Sequence, residues 1–136
     1  MRFQEVSPDR TLLVDLAYDE PLFAELAAVV EAADLESAWV LGSGAVREAE
    51  LASYDQDDFE FEAVHFDEPL ELPIFTGTVT AEAVQVRADL SRPSGQALAG
   101  RLDSATVFGG EALVWGFEEP LEREADEATG LDRLAL

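Results

Sequence analysis

The stretch VQVRADL, residues 84–90, and the nearby AGRL, residues 99–102, hold the side chains best suited to bind something. Alternate residues of an extended strand face opposite sides. Val84, Val86, Ala88 and Leu90 therefore share one face, and Gln85, Arg87 and Asp89 share the other. The chain has only eight basic residues, and Arg87, Arg92 and Arg101 all fall in this short region. If Arg87 and Arg101 converge at about 6 Å in an effective dielectric near 20, they repel by roughly 3 kcal/mol. Something negative must offset that. One reading is a bound carboxylate or phosphate, gripped by two guanidinium forks and the Gln85 amide. The other is an ion-pair network completed by Asp89, Glu111 or an acid of a neighbouring subunit. With thirty carboxylates in the chain, the second is the simpler expectation.

Other chemistry-bearing patterns fall short. In VLGSGAVRE, Gly42 and Gly44 follow a strand-like run, but Arg47 stands where a dinucleotide fingerprint needs its third glycine. A tight turn admitting only small residues explains the glycines better. Ser43 lacks the glycine spacing of a nucleophile elbow, and its base would have to be His65, the single histidine. His65 reads as a solvated or hydrogen-bonded strand residue, and one histidine does not make a typical zinc site. Paired carboxylates carry no information when acids are this common. SRPSG, residues 91–95, reads as a hairpin turn rather than an AT-hook core.

The elements that would position these residues follow from the patterning. One domain of 136 residues, 48% hydrophobic, is long enough to bury a core. No apolar run is long enough for a membrane span and no signal-peptide layout opens the chain. Cysteine is absent, which removes disulfides and thiolate chemistry. These features predict a soluble, cytoplasmic protein with no cofactor. The formal net charge of −22, with every cation an arginine, predicts strong self-repulsion relieved by salt. It suits a halophile with a salty cytoplasm, and it disfavours direct contact with nucleic acid phosphates.

Residues 12–18 alternate as a strand. Asp19 and Pro21 offer a helix start, with Asp19 as the capping oxygen, and Leu22, Leu26 and Val30 recur at helical spacing over 20–33. SAWVL is a short strand ending at the glycines, while AVREAELASY fits helix or strand. FEFEAVHF alternates as a strand with one wet face. Further strands are expected at 72–80, 83–90, 96–102 and 105–117, broken by Pro93, Ser94 and Gly95 and by Gly109-Gly110. One amphipathic helix among many strands predicts an α+β domain with a largely antiparallel sheet. Residues 1–120 form this domain, and 121–136 an acidic tail that docks or frays.

Four segments together resemble the PPC domain (plants and prokaryotes conserved). WVLGSGAVREAELASYD is similar to its strand, small-residue loop and second strand; FDEPLELPIFTGTVT is similar to the strand bearing the family glycine, here Gly77. VQVRADLSRPSGQALAGRLDSATVFGGEALVWGF is similar to its hairpin and return strand, and the helix at 20–33 falls in the family's place. The resemblance covers roughly residues 10–118. It implies that AVREAELASY is a strand, that Gly42, Ser43 and Gly44 form a loop near the pocket, and that the subunit assembles as a homotrimer. It also implies that Gln85, Arg87 and Arg101 occupy the places where many prokaryotic members set metal-binding histidines. A guanidinium does not give up its proton to bind a cation, so the resemblance implies no metal here.

The resulting expectation is a non-catalytic homotrimeric module, regulatory or scaffolding, acting through protein partners. The alternatives are a small-anion-binding protein using Gln85, Arg87 and Arg101, and a DNA-associated regulator. The usual components of an enzyme site are missing.

Overall fold

The computed structural model describes residues 1–136. Its order is β1 (Pro8–Leu16), α1 (Leu22–Ala32), β2 (Ala38–Asp55), β3 (Glu60–Phe66), β4 (Leu70–Val79), β5 (Val84–Ser91), β6 (Ala97–Phe117), β7 (Arg123–Ala125) and β8 (Asp132–Leu134). A six-stranded antiparallel sheet runs β1-β6-β5-β4-β2-β3, and β6 also pairs with β2. The ladder β2–β4–β5–β6 therefore closes on itself, and β7–β8 is a separate hairpin. This is the α+β, largely antiparallel architecture expected.

The two long strands organise everything else. β2 and β6 pair from Ala38↔Gly116 to Ala52↔Arg101, so each gives one edge to the other and divides its opposite edge between two partners, β4 then β3 along β2 and β5 then β1 along β6. Gly42, Ser43 and Gly44 lie inside this ladder rather than in a loop or tight turn, and the register of β2 against β4 shifts between Gly42 and Gly44. The expected break at Gly109-Gly110 is likewise absent, because β6 is continuous through it. These glycines mark a close approach of backbones. A Cβ on Gly44 would lie 2.2 Å from the Gly109 carbonyl oxygen.

Helix α1 buries Leu22 and Leu26 against the sheet. Asp19 does not cap it. Pro21 is the N-cap residue, without a side-chain hydrogen bond, and Asp19, at φ 67°, pairs with Arg47 instead. The C-terminus ends in a Schellman arrangement: Asp34 N–H donates to the Glu31 carbonyl (3.1 Å) and Leu35 N–H to Val30 (3.0 Å). Asp34 takes the left-handed conformation there (φ 52°) that glycine usually supplies. The core is a single cluster centred on Phe75, Leu90, Leu102 and Val114 with the helix leucines. The SRPSG turn is as expected, with Gly95 at φ 85° donating to the Arg92 carbonyl.

A candidate anion cavity under the C-terminal hairpin

The alternation of β5 holds. Val86, Ala88 and Leu90 are buried, which turns Gln85 and Arg87 outward. Arg87 is the direct cross-strand partner of Arg101 on β6 and of Thr76 on β4, while Gln85 faces Thr78. Directly opposed strand residues carry their Cβ atoms about 5 Å apart, so the two arginines do share one patch. Gln85, Arg87 and Arg101 line one cavity of about 330 Å³ with Thr76, Thr78, Trp39 and Phe61. Gly42, Ser43 and Gly44 do not line it. The expectation of a loop beside the pocket fails because β2 carries these residues straight past it, in the β2–β6 ladder.

The two arginines differ in how their charge is used. Arg101 donates to Asp103 through Nε (2.7 Å) and Nη2 (3.3 Å), and its guanidinium lies 3.5 Å from the centre of the Phe61 ring. The ion-pair reading is therefore right for Arg101, with Asp103 two residues along the same strand in the role expected of Asp89, Glu111 or a neighbouring chain. Arg87 forms no ion pair within the chain, although five other arginines do.

The roof of the cavity comes from residues within 121–136, which form a β-hairpin where composition predicts an acidic tail. Arg123 of β7, with Gly130, Leu131 and Asp132 at the turn into β8, closes over the arginines. Arg123 donates from Nη1 to the Asp132 carbonyl at 3.0 Å, while its Nε is shut from solvent with no acceptor. Three guanidiniums thus meet one lining carboxylate, in a chain where acids outnumber bases 30 to 8.

The hairpin is anchored at several points. Leu121 is buried and its carbonyl accepts from Ala81. The Tyr54 hydroxyl donates to the Thr129 carbonyl at 2.5 Å, and Gly130, at φ 70°, sits so close to Tyr54 that a Cβ would lie 2.7 Å from its oxygen. Asp126 accepts from the Thr129 hydroxyl (2.6 Å) and from its N–H (3.1 Å). Upstream, Glu119 accepts from Ser7 N–H (2.6 Å) and its hydroxyl (2.7 Å). The only signal of this structure in the sequence is Thr129-Gly130, a turn pair three residues after an aspartate, hidden among acids.

These hydrogen bonds hold two carboxyls below the usual carboxylate range: Glu119 through the Ser7 N–H and then its hydroxyl, Asp126 mainly through the Thr129 hydroxyl with help from Arg133. A depressed folded-state pKa adds stability that is full above the unfolded value and is lost as pH falls through the folded one. Acidification through and below the carboxylate range is therefore expected to release the hairpin. Amide exchange should show residues 119–134 losing protection at a higher pH than β2 and β6. Loss of protection in all three together would mean that these contacts do not hold the hairpin.

Elsewhere, the His65 ring lies between Glu48 (3.4 Å) and Glu50 (4.0 Å), half exposed, in agreement with the solvated reading. No group of three histidine, cysteine, aspartate or glutamate side chains is placed to share a metal ion. The cavity residues do not suit one either, since guanidinium, amide and hydroxyl groups offer no strong ligand set.

The model of the Plants and Prokaryotes Conserved (PCC, or PPC) domain matches residues 3–117, ending just before the hairpin. Among solved structures, a metal-containing protein from Archaeoglobus fulgidus is 30% identical, with a TM-score of 0.91 and 98% of each chain covered. A PPC protein from Pyrococcus horikoshii superposes with a TM-score of 0.87 at 19% identity, over 98% of this chain and 97% of the other. A DNA-binding candidate from Bacteroides thetaiotaomicron gives 0.83 at 23% identity, over 95% and 96%. The last two are similarities of fold alone. No protein of curated function matches.

Proposed function

The chain belongs to the Plants and Prokaryotes Conserved domain family, and from that premise we propose that it is a non-catalytic binding module that holds a small carboxylate or phosphate anion between Arg87, Arg101 and the C-terminal hairpin. The observation that carries this reading is the unpaired Arg87 set directly opposite Arg101 inside a lined cavity. In so acidic a chain, an arginine at a cavity with no ion-pair partner is free to bind an anion. Charge-assisted fork contacts to an oxyanion are roughly twice as strong as neutral hydrogen bonds. Phosphate or a short dicarboxylate is expected to raise the melting temperature of the wild type but not of Arg87→Ala. Equal shifts for both proteins would remove this site.

We propose further that the protein assembles as a homotrimer through its exposed sheet face. On the outer face, Leu13 faces Leu113, Leu113 faces Leu41, and Trp39 faces Trp115 across β1, β6 and β2. Leu13 is 80% exposed and Ile74 42%. A contiguous apolar face of this kind usually marks an interaction surface. Light scattering in molar salt is expected to give three chains per particle, and Leu41→Asp a monomer. A monomeric wild type would end this part of the proposal.

Two proteins of this fold are described as DNA-binding candidates. Here the net charge of −22 opposes a polyanion, and three of the eight arginines lie in the cavity. Any gene-regulatory role therefore runs through a protein partner, and salt-resistant, sequence-specific gel shifts would contradict that. The metal content of the Archaeoglobus relative does not transfer to the arginine-lined cavity. The host, on the same charge argument, is a halophile and the compartment its salty cytoplasm.

A further inference from the structure

Resting on the anion-binding reading above, the geometry points to a doubly charged ligand, an organic phosphate monoester, clamped between the sheet and the C-terminal hairpin, with Arg123 as the third phosphate-binding residue. The charge count comes first. Asp103 neutralises Arg101, whereas Arg87 and Arg123 have no ion pair within the chain, so two guanidiniums without an ion-pair partner stand at one cavity against a single lining carboxylate, Asp132. A phosphate monoester carries close to two negative charges at neutral pH; a monocarboxylate carries one. The arrangement of donors comes second. A planar carboxylate is satisfied by one bidentate fork, but here Arg87 and Arg101 lie on the sheet and Arg123 on the hairpin. A tetrahedral phosphoryl group has three terminal oxygens to share between two such sides. The third observation is the Arg123 Nε, a donor closed off from solvent with no acceptor in the chain. Such a group carries a desolvation cost until something accepts from it. Trp39 and Leu131, which also line the cavity, offer apolar surface to the ester's organic part.

The charged groups at this cavity are Arg87, Arg101, Arg123, Asp132 and the Asp103 paired to Arg101. Arginine does not titrate near neutrality, and His65 lies against Glu48 and Glu50 rather than in the cavity lining. The second ionisation of the ligand, near pH 6, therefore governs affinity between pH 5 and 7.

The test is titration calorimetry of the full chain with phenyl phosphate and benzoate, at fixed high ionic strength and at pH 5 and 7. Phenyl phosphate is expected to bind at least about tenfold more tightly than benzoate at pH 7, and to weaken towards pH 5 while benzoate does not. Arg123→Ala should cost phenyl phosphate about tenfold or more. Arg133→Ala, which loosens the hairpin through Asp126 without lining the cavity, should cost it much less. If both probes bind alike, if affinity is flat with pH, or if the two variants are equally affected, the phosphate clamp is wrong while an anion site survives. If neither probe binds the wild type, the anion reading itself fails.

Discussion

Gly44→Ala is expected to destabilise the fold by about 3 kcal/mol or more, at the upper end of what overpacking costs. The added Cβ would lie 2.2 Å from the Gly109 carbonyl oxygen and 2.6 Å from the Gly110 Cα. Both are backbone atoms in the ladder that joins β2 to β6, so no side chain can swing aside to relieve the contact. Gly42→Ala is a different case. Its Cβ meets chiefly the Phe75 ring, 2.3 Å from Cζ and 2.4 Å from Cε1, with the Glu111 carbonyl oxygen next at 2.7 Å. Phe75 is fully buried, so Phe75→Leu is destabilising by itself. Yet it removes the two ring atoms, and the double variant Gly42→Ala/Phe75→Leu should be more stable than the sum of the singles by about 1 kcal/mol or more. No substitution at position 75 should rescue Gly44→Ala. Urea denaturation of the wild type, the three single variants and the two double variants that add Phe75→Leu decides this. A Gly44→Ala midpoint equal to that of the wild type would refute the account of the β2–β6 crossing.

Raising salt from 0.1 M to 1 M is expected to stabilise the protein by several kcal/mol. A net charge of −22 spread over a compact chain of 136 residues, compared with the same charge on the expanded unfolded chain, disfavours folding less as the Debye length falls from about 10 Å to about 3 Å; a smeared-charge estimate puts the relief on the order of 5–10 kcal/mol. That is comparable with the whole stability of an ordinary domain. The five arginine ion pairs do not change this conclusion. They involve mostly partly exposed side chains, and pairs of that kind contribute about 1 kcal/mol or less each. The urea midpoint should rise steeply with either sodium or potassium chloride. A flat response would mean that the carboxylates are too dispersed or too well hydrated to repel one another appreciably. The acid experiment on the hairpin should be run at high salt for the same reason. Protonating carboxylates also relieves the global repulsion, with a sign opposite to the loss of the Glu119 and Asp126 contacts.

Local pattern and backbone chemistry were sufficient for much of the architecture. The period-two alternation of residues 84–90 assigned Val86, Ala88 and Leu90 to the interior and Gln85 and Arg87 to the outer face, as observed, because strand geometry forces successive side chains to opposite sides. The 3.6-residue spacing of Leu22 and Leu26 placed the helix, although the capping oxygen of Asp19 went to Arg47 instead.

What the residues did not reveal was where the long strands bend and which segments meet. Glycine pairs read as turns by local rules, yet here they serve contacts between segments over sixty residues apart, and only the β2–β6 ladder shows why small residues are needed. The partner of Arg101 was misplaced for a similar reason. Thirty carboxylates make every assignment plausible, and only the orientation of β6 selects Asp103. Most consequential is the hairpin that brings Arg123 over Arg87. Its strands are three residues each, too short for periodicity to register, and they are held by contacts to Tyr54 and Ala81 made through tertiary packing. Composition determined that cations would be scarce, and the resemblance to the family implied that Arg87 and Arg101 would converge; tertiary packing decided that Arg123 would join them, because the cavity is closed by a hairpin distant from both in sequence.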